Sequence, residues 1–336
     1  MRLRPLFQFA ICLLCLTACL PYPDPVPTPT DLPAEMRITQ ARSLGTYHTL
    51  LYHVEAEAAR EGWTPERHAE AARLWLSLGD LRRARPHLES AAAYDSPDAL
   101  RDLIDLSIQF NRPEEALAQL ERLLAAVPGD RRALYQSALL LLPFDPLRAQ
   151  QRLQQITLDM QYGDSARTLL QTMRQTPPGE MWSVRVGALL ATEELWPYAE
   201  WAFVYAAQTR SSAEAWAYAG LMRDAQGGDG SAYLSQALAQ QATIPQVQMA
   251  LGIHRRQHGD DEGALLALQF ALTLDPLNPA IHAELGTTYQ YLGDVAQAEK
   301  WLQSAYTLSG GSTTYNQALS EFRDLLESGH IVPPPP

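Results

Sequence analysis

The first residues to weigh for chemistry are two histidines near the C-terminal third of the chain. His254 and His258 stand four positions apart, and the acidic run Asp260-Asp261-Glu262 follows them. Positions four apart share one face of a helix, so this spacing could bring two imidazoles to one metal ion. A metal site needs a further ligand at a defined place, and the sequence indicates none. We therefore expect a polar helix end and no metal site.

Motifs of familiar enzymatic chemistry are absent from the sequence. It contains no glycine-rich phosphate loop, no His-Glu-x-x-His, no Gly-x-Ser-x-Gly and no calcium-loop spacing. A Ser-x-x-Lys nucleophile is excluded, because the only lysine, Lys300, has Gln297 three positions before it. The tryptophans fall mostly at positions that paired helices bury, so core packing is their expected role. We predict that the protein is not an enzyme and uses no cofactor.

Cys19 offers a reactive thiol, and it directly follows a segment that resembles an N-terminal secretory leader. Arg2 and Arg4 precede an apolar run from Leu6 to Leu16, which ends in Leu16-Thr17-Ala18-Cys19. A basic start, an apolar stretch and small residues before a cut are typical of a secretory signal. The run is shorter than the roughly 20 residues that a membrane span needs. A signal cut elsewhere, or an uncleaved anchor, remains the alternative.

The cysteine at this position resembles the lipobox of bacterial lipoproteins. The resemblance implies that residues 1–18 are a lipoprotein signal peptide and that Cys19 becomes the lipidated first residue. Several acyl chains, at about 0.8 kcal/mol per buried CH2, give stable anchoring. The expected location is therefore the cell membrane or outer membrane, on its extracytoplasmic side. Cys12 and Cys15 leave with the signal, so no disulfide is predicted.

The segment behind Cys19 is rich in proline. Residues 19–35 carry prolines at nearly alternate positions, which favours extended polyproline II over helix or strand. We interpret this segment as a tether between lipid and domain, the alternative being a tail without a role. Residues 330–336 form a second proline-rich tail.

The charge balance argues against polyanionic partners. The chain has 26 basic and 38 acidic residues, a formal charge of −12, and removal of Arg2 and Arg4 makes it −14. An acidic chain is a poor ligand for nucleic acid, so we predict no nucleic-acid binding.

The second strong signal is an internal repeat near the C-terminus. When the chain is shifted by 34 residues, Leu251-Gly252 falls on Leu285-Gly286 and Gly259-Asp260 falls on Gly293-Asp294. A period of this length is typical of stacked units, each of two amphipathic helices. The glycine between the helices suits a positive φ at a helix end.

This repeat resembles the tetratricopeptide repeat, whose pattern has a Leu-Gly pair, a later aromatic residue, and then Ala, a large apolar residue and Ala. The matching residues are Leu285, Gly286, Tyr289, Ala298, Leu302 and Ala305. The resemblance implies an all-α, right-handed α-solenoid of stacked antiparallel helix pairs. Gly286 and Ala298 should lie where neighbouring helices cross.

The predicted organisation places helical caps at both ends of the solenoid. An extra helix near 163–175 interrupts the pairing. The boundaries are a capping helix within 36–64, a solenoid over 65–310, and a capping helix within 311–329; the units lie near 65–98, 97–130, 130–160 (degenerate), 180–213, 213–242 (degenerate), 245–278 and 279–312.

The family resemblance also implies a binding face formed by the first helix of each pair. Its apolar middle is expected to hold a protein or peptide partner, although a plain solvated wall, or cover by the helix near 163–175, remains open. The lysine and asparagine set of the family's carboxylate clamp is missing. The candidate residues are Met181, Val184, Ala188, Leu221, Met249, Ile253, Arg256, Gln290 and Tyr291.

These observations favour a non-enzymatic, lipid-anchored scaffold that mediates protein–protein interaction in a bacterial cell envelope. The alternative is an assembly factor for outer-membrane barrels, pili or wall-synthesis enzymes. An enzyme with an unfamiliar site would need a catalytic insertion outside the repeats, and none is visible. Fold alone does not decide among these functions.

Overall fold

The computed structural model describes residues 45–94, 96–175, 178–179 and 181–328. The predicted signal peptide, lipidated Cys19, the tether and the C-terminal tail lie outside the described residues, as does the start of the predicted N-terminal cap.

The described residues form helices and contain no strand, which confirms the predicted all-α fold. Among them, no helix is both long and apolar enough to cross a membrane. The helices are α1 (Tyr47–Glu61), α2 (Pro65–Ser77), α3 (Leu81–Ala92), α4 (Pro97–Gln109), α5 (Pro113–Ala126), α6 (Arg131–Leu141), α7 (Pro146–Gln155), α8 (Gly163–Gln175), α9 (Trp182–Thr192), α10 (Trp196–Arg210), α11 (Ala213–Ala225), α12 (Ser231–Gln241), α13 (Pro245–Gln257), α14 (Asp261–Leu274), α15 (Pro279–Leu292), α16 (Val295–Leu308) and α17 (Thr313–Glu327).

The turn residues read from the sequence begin and end these helices. Asp260 and Asp294 cap α14 and α16, each accepting a hydrogen bond from the backbone N–H three residues later. Pro245 and Pro279 open α13 and α15, where a missing N–H costs nothing. Gly293 adopts the predicted positive φ, at 80°.

The chain divides into two compact units, Met1–Leu103 and Ile104–Pro336. In the first unit, α1, α2 and α3 enclose a core that contains Leu50, Val54, Leu74 and Trp75. This unit carries the described part of the predicted N-terminal cap.

In the second unit, consecutive helices pack in pairs through small residues. A Cβ added to Gly286 would lie 2.7 Å from Leu302 Cγ, and one added to Gly252 would lie 2.6 Å from Leu268 Cγ. Ala298 is fully buried. The helix axes can approach only because these positions carry almost no side chain, as the repeat pattern predicts.

The irregular parts of the prediction also have counterparts in the second unit. Helix α8 spans Gly163–Gln175, where the extra helix was expected, and it packs against α7. Helix α17 lies within the predicted C-terminal cap, 311–329, and buries Leu319 and Phe322 against Ala298 and Leu302.

Candidate partner-binding site

The predicted apolar middle of the binding face is split between exposed and packed side chains. Met181 is 44% exposed, and Ala188 is exposed on α9. Val184 instead packs on the buried cluster of Phe203 and Val204. Leu221 likewise packs on the core formed by α11, α12 and α13. These two side chains therefore stabilise the fold, which leaves Met181 and Ala188 as accessible members of this set.

The predicted positions nearer the C-terminus include a residue already engaged within the chain. The guanidinium of Arg256 on α13 donates to Glu284 Oε2 at 2.6 Å and to Thr288 Oγ1 at 3.1 Å, both on α15. It also lies 5.8 Å from the ring centroid of Tyr291. Arg256 thus joins two neighbouring first helices.

The other C-terminal candidates differ in accessibility. Tyr291 is 60% exposed, while Ile253 and Gln290 are half-buried. Met249 is partly buried against Leu268 and Ile281. Tyr291 is therefore the most accessible of the aromatic or apolar residues proposed for this stretch.

The structure also forms an aromatic groove that the sequence interpretation missed. It has a volume of about 480 Å³ and lies where the α4–α5 turn meets α10, α11 and α12. We call it the tryptophan groove. Its lining residues are Asn111, Arg112, Pro113, Glu114, Glu115, Trp201, Val204, Gln208, Trp216, Tyr233 and Gln236.

The aromatic walls of the tryptophan groove are held in fixed orientations. The rings of Trp216 and Tyr233 stack with centroids 5.7 Å apart and planes 20° apart. The indole Nε1 of Trp201 donates to the carbonyl oxygen of Leu140 at 3.0 Å. Rigid aromatic surfaces lose little side-chain entropy when a ligand covers them.

A buried carboxylate ties the elements around the groove together. Glu200 is fully buried and accepts hydrogen bonds from Asn111 Nδ2 at 2.7 Å and from the Tyr233 hydroxyl at 3.0 Å. It also accepts from Arg223 at 2.6 Å and Gln226 at 2.7 Å. Burial, and then the Glu200 charge, raise the pKa of Tyr233, so its hydroxyl remains a donor.

The sequence interpretation missed this groove for a physical reason. It assigned the tryptophans to the core and the binding face to first helices. Trp201 and Tyr233 lie on the second helices α10 and α12, and Asn111 lies on a turn far away in sequence. The available signal was the aromatic content of α10, which is spread around the helix rather than confined to one face.

The histidine pair on α13 has partners that the sequence did not reveal. Asp224 Oδ2 lies 2.8 Å from His254 Nδ1, and Asp224 Oδ1 lies 3.2 Å from His258 Nε2. Asp229 joins the same cluster. The prediction of no metal site depended on a missing third ligand, and that premise is wrong, because two carboxylates stand beside the imidazoles.

A second histidine cluster lies in the first unit. His68 and His87 place their Nδ1 atoms 3.0 Å apart, and Trp63 stacks on His68 with ring centroids 4.6 Å apart. Burial lowers the pKa of both imidazoles, and for His87 the His68 charge lowers it further. Both rings are therefore favoured in the neutral form.

Two segments of the chain match models of a known protein family. Family models described as tetratricopeptide repeat match residues 76–141 and 249–313. No curated protein matches the chain.

Solved structures with related arrangements include a tetratricopeptide repeat protein from Parabacteroides merdae ATCC 43184. It is 16% identical, the match covers 76% of this chain and 97% of that one, and the TM-score is 0.39. The Cut9–Hcn1 hetero-tetramer of the APC/C is 19% identical over 80% of this chain and 58% of that one, with a TM-score of 0.39. Tetratricopeptide repeats are therefore found by these models in residues 76–141 and 249–313, where the structure forms paired helices.

Proposed function

We propose that this protein is a lipid-anchored, extracytoplasmic scaffold that binds a segment of a protein partner in the tryptophan groove. The observation that carries the proposal is the groove itself. Trp201, Trp216 and Tyr233 present aromatic surface there, around a buried carboxylate that holds the surrounding helices in place. Stacked helical repeats use such surfaces for protein partners.

The chemistry of the groove suggests what the partner offers. Aromatic walls favour an apolar or aromatic side chain, and buried anchors of this kind contribute about 2 kcal/mol or more each to binding. Arg112 and Glu114 lie at the groove as well, so polar groups beside the anchor can form hydrogen bonds or ion pairs. We propose a peptide segment with one large apolar anchor flanked by polar residues.

Membrane anchorage through Cys19 completes the proposed mechanism. The support is the basic start, apolar run and small residues before Cys19. Confinement at a membrane surface raises the effective concentration of other envelope proteins around the groove. Specificity would then come from the groove, and the encounter rate from the anchor.

The groove is tested by crosslinking the full chain to its partners in native membranes and identifying the captured proteins by mass spectrometry. We expect Gln236→Arg, which places a bulky charge at an exposed position of the groove lining, to abolish capture. Tyr291→Ala, which removes an exposed aromatic ring on α15, should retain it. If Tyr291→Ala abolishes capture and Gln236→Arg does not, binding occurs along the first helices instead. Circular dichroism of both variants checks that the fold is intact.

The same experiment separates the two envelope roles. Capture dominated by barrel-assembly, pilus or wall-synthesis proteins would identify an assembly factor rather than a general scaffold. Anchorage is tested independently with Cys19→Ser, which should release the protein from membranes or leave it uncut. An unmodified Cys19 in the mass of the mature protein would refute the lipid anchor.

A further inference from the structure

We propose that Asp224, Asp229, His254 and His258 form a binding site for one divalent transition-metal ion, with Zn²⁺ as the ion that fits best. The site goes beyond the proposed scaffold function and does not depend on it. One ligand atom from each residue lies within 4.8 Å of the others.

Helix α13 supplies the two imidazoles. His254 and His258 are four residues apart on it, and their ring centroids are 4.4 Å apart. Between them stands the carboxylate of Asp224, from the last turn of α11, which offers one oxygen to each ring at 2.8 and 3.2 Å. The Asp224 side chain is 1% exposed. The ligands thus come from two helices and converge on one point.

The α11–α12 loop is built to bring Asp229 to the same point. Gly227 has a φ of 76°, which only glycine adopts readily. A Cβ at Gly230 would overlap the backbone of Gly220, so a larger residue cannot follow Asp229 without moving the loop. The N–H of Gly230 donates to Asp224 Oδ1 at 2.8 Å, which locks the loop onto the buried carboxylate.

The ligand types select the class of ion. Two imidazole nitrogens and two carboxylate oxygens suit Zn²⁺, which is bound by four ligands at about 2.0–2.2 Å. Ca²⁺ and Mg²⁺ prefer oxygen ligands only, and Mg²⁺ keeps most of its water. With four protein ligands the site is closed, which is the arrangement of a structural rather than a catalytic metal. The His258 side chain is 45% exposed and offers an entry path.

Such an ion would join two successive helix pairs. It would tie the α11–α12 loop to α13, and α11 and α12 carry Trp216 and Tyr233 of the tryptophan groove. Because the ligands come from both helix pairs, a bound ion would resist separation of the α11–α12 pair from α13. It would thereby fix the positions of the groove helices α11 and α12.

The test is a Zn²⁺ titration of the full chain, purified without an affinity tag and stripped with a chelator. Calorimetry should show one tight site per chain, and thermal melting should shift upward with Zn²⁺ but not with Mg²⁺. Loss of a single ligand should weaken binding by at least the roughly 10–100-fold typical of outer-shell substitutions. Co²⁺ bound at the site should give a visible spectrum without a thiolate charge-transfer band, which distinguishes it from cysteine ligation.

Variants decide whether the four residues form the site. His258→Ala changes an exposed ligand and should leave the metal-free fold intact, as circular dichroism can check. Asp229→Ala removes the loop ligand, also exposed, and should likewise weaken Zn²⁺ binding. The control His68→Ala/His87→Ala removes the other close imidazole pair and should leave the affinity unchanged. Absence of a one-to-one site, equal affinity in His258→Ala, or loss only in the control would overturn the proposal and leave a hydrogen-bonded Asp–His cluster without metal.

Discussion

The C-terminal repeats and the middle of the second unit use the same local contact but differ in how far their other contacts reach. In the middle of the unit, a Cβ added to Gly187 would lie 2.8 Å from the Phe203 ring. Near the C-terminus, a Cβ added to Gly286 would lie 2.7 Å from Leu302. The difference lies in the hydrogen bonds between helices. Arg256 reaches only as far as Thr288, about one repeat along the chain.

In the middle of the unit, side-chain hydrogen bonds skip whole repeats. Trp182 Nε1 donates to the carbonyl of Leu142 at 2.7 Å, and Asn111 reaches Glu200 at 2.7 Å across 89 residues. A repeat motif therefore predicts contacts up to about one period. The tryptophan groove depends on contacts several periods long, and variants in both regions can test this difference.

The largest effect is expected from Glu200→Ala. The change leaves Arg223, Asn111 and Gln226 without their common acceptor, and breaking a buried ion pair costs about 3–5 kcal/mol. Glu284→Ala is the matched change in the C-terminal repeats, where the pair with Arg256 is partly exposed, and it should cost about 1 kcal/mol. Chemical denaturation measures both free energies of unfolding. Equal losses would contradict the difference drawn between the two regions.

The next test compares two positions on α9. Val184→Asp places a charge against Phe203 and Val204, so we expect a loss of about 2–3 kcal/mol of unfolding free energy. Ala188→Asp, one turn later on the exposed side, should stay within about 0.5 kcal/mol. If Val184→Asp leaves the free energy of unfolding unchanged, Val184 is not part of the core and belongs to the predicted binding face.

A smaller effect is expected where the two regions are alike. Gly286→Ala and Gly187→Ala each force a neighbouring side chain to move, at about 1–3 kcal/mol, while alanine returns about 0.5–1 kcal/mol of helix propensity. Both variants should therefore lose about 1 kcal/mol. Combining Gly286→Ala with Leu302→Ala should cost less than the sum, because the smaller side chain makes room. Additive losses would show that Gly286 does not contact Leu302.

The smallest effect is expected from the pH dependence of stability in the first unit. There, His68 on α2 and His87 on α3 form a side-chain pair between two helices. Because burial lowers the folded-state pKa of His68 and His87, the unfolded chain binds protons first as pH falls. Their contribution to stability is complete above the ordinary imidazole pKa of about 6.5 and is lost as pH falls below it. Denaturation midpoints should drop between about pH 8 and pH 5, and less so in His87→Gln. An identical pH dependence in both proteins would refute this assignment.

The helical fold could be predicted from the sequence because the residues that specify it act locally. Asp260 and Gly293 act within one or two turns of themselves, and Gly286 meets Leu302 at a spacing that the repeat preserves. The candidate site was harder to predict. Residue spacing shows which side chains share a helix face, but it does not show whether a neighbouring helix covers that face. Val184 and Leu221 occupy the predicted face and are nonetheless packed against buried clusters.

The helical repeats, their turns and the expected leader of residues 1–18 could all be predicted from the sequence, since each depends on residues close together in the chain. The shared groove of Trp201, Trp216 and Tyr233, and the hydrogen bond from Tyr233 to the buried Glu200, follow from the packing of the helices. That packing alone also places Asp224 beside His254, 30 residues away. The reason is that helical periodicity specifies which way a side chain faces, whereas the packing of whole helices specifies what it meets.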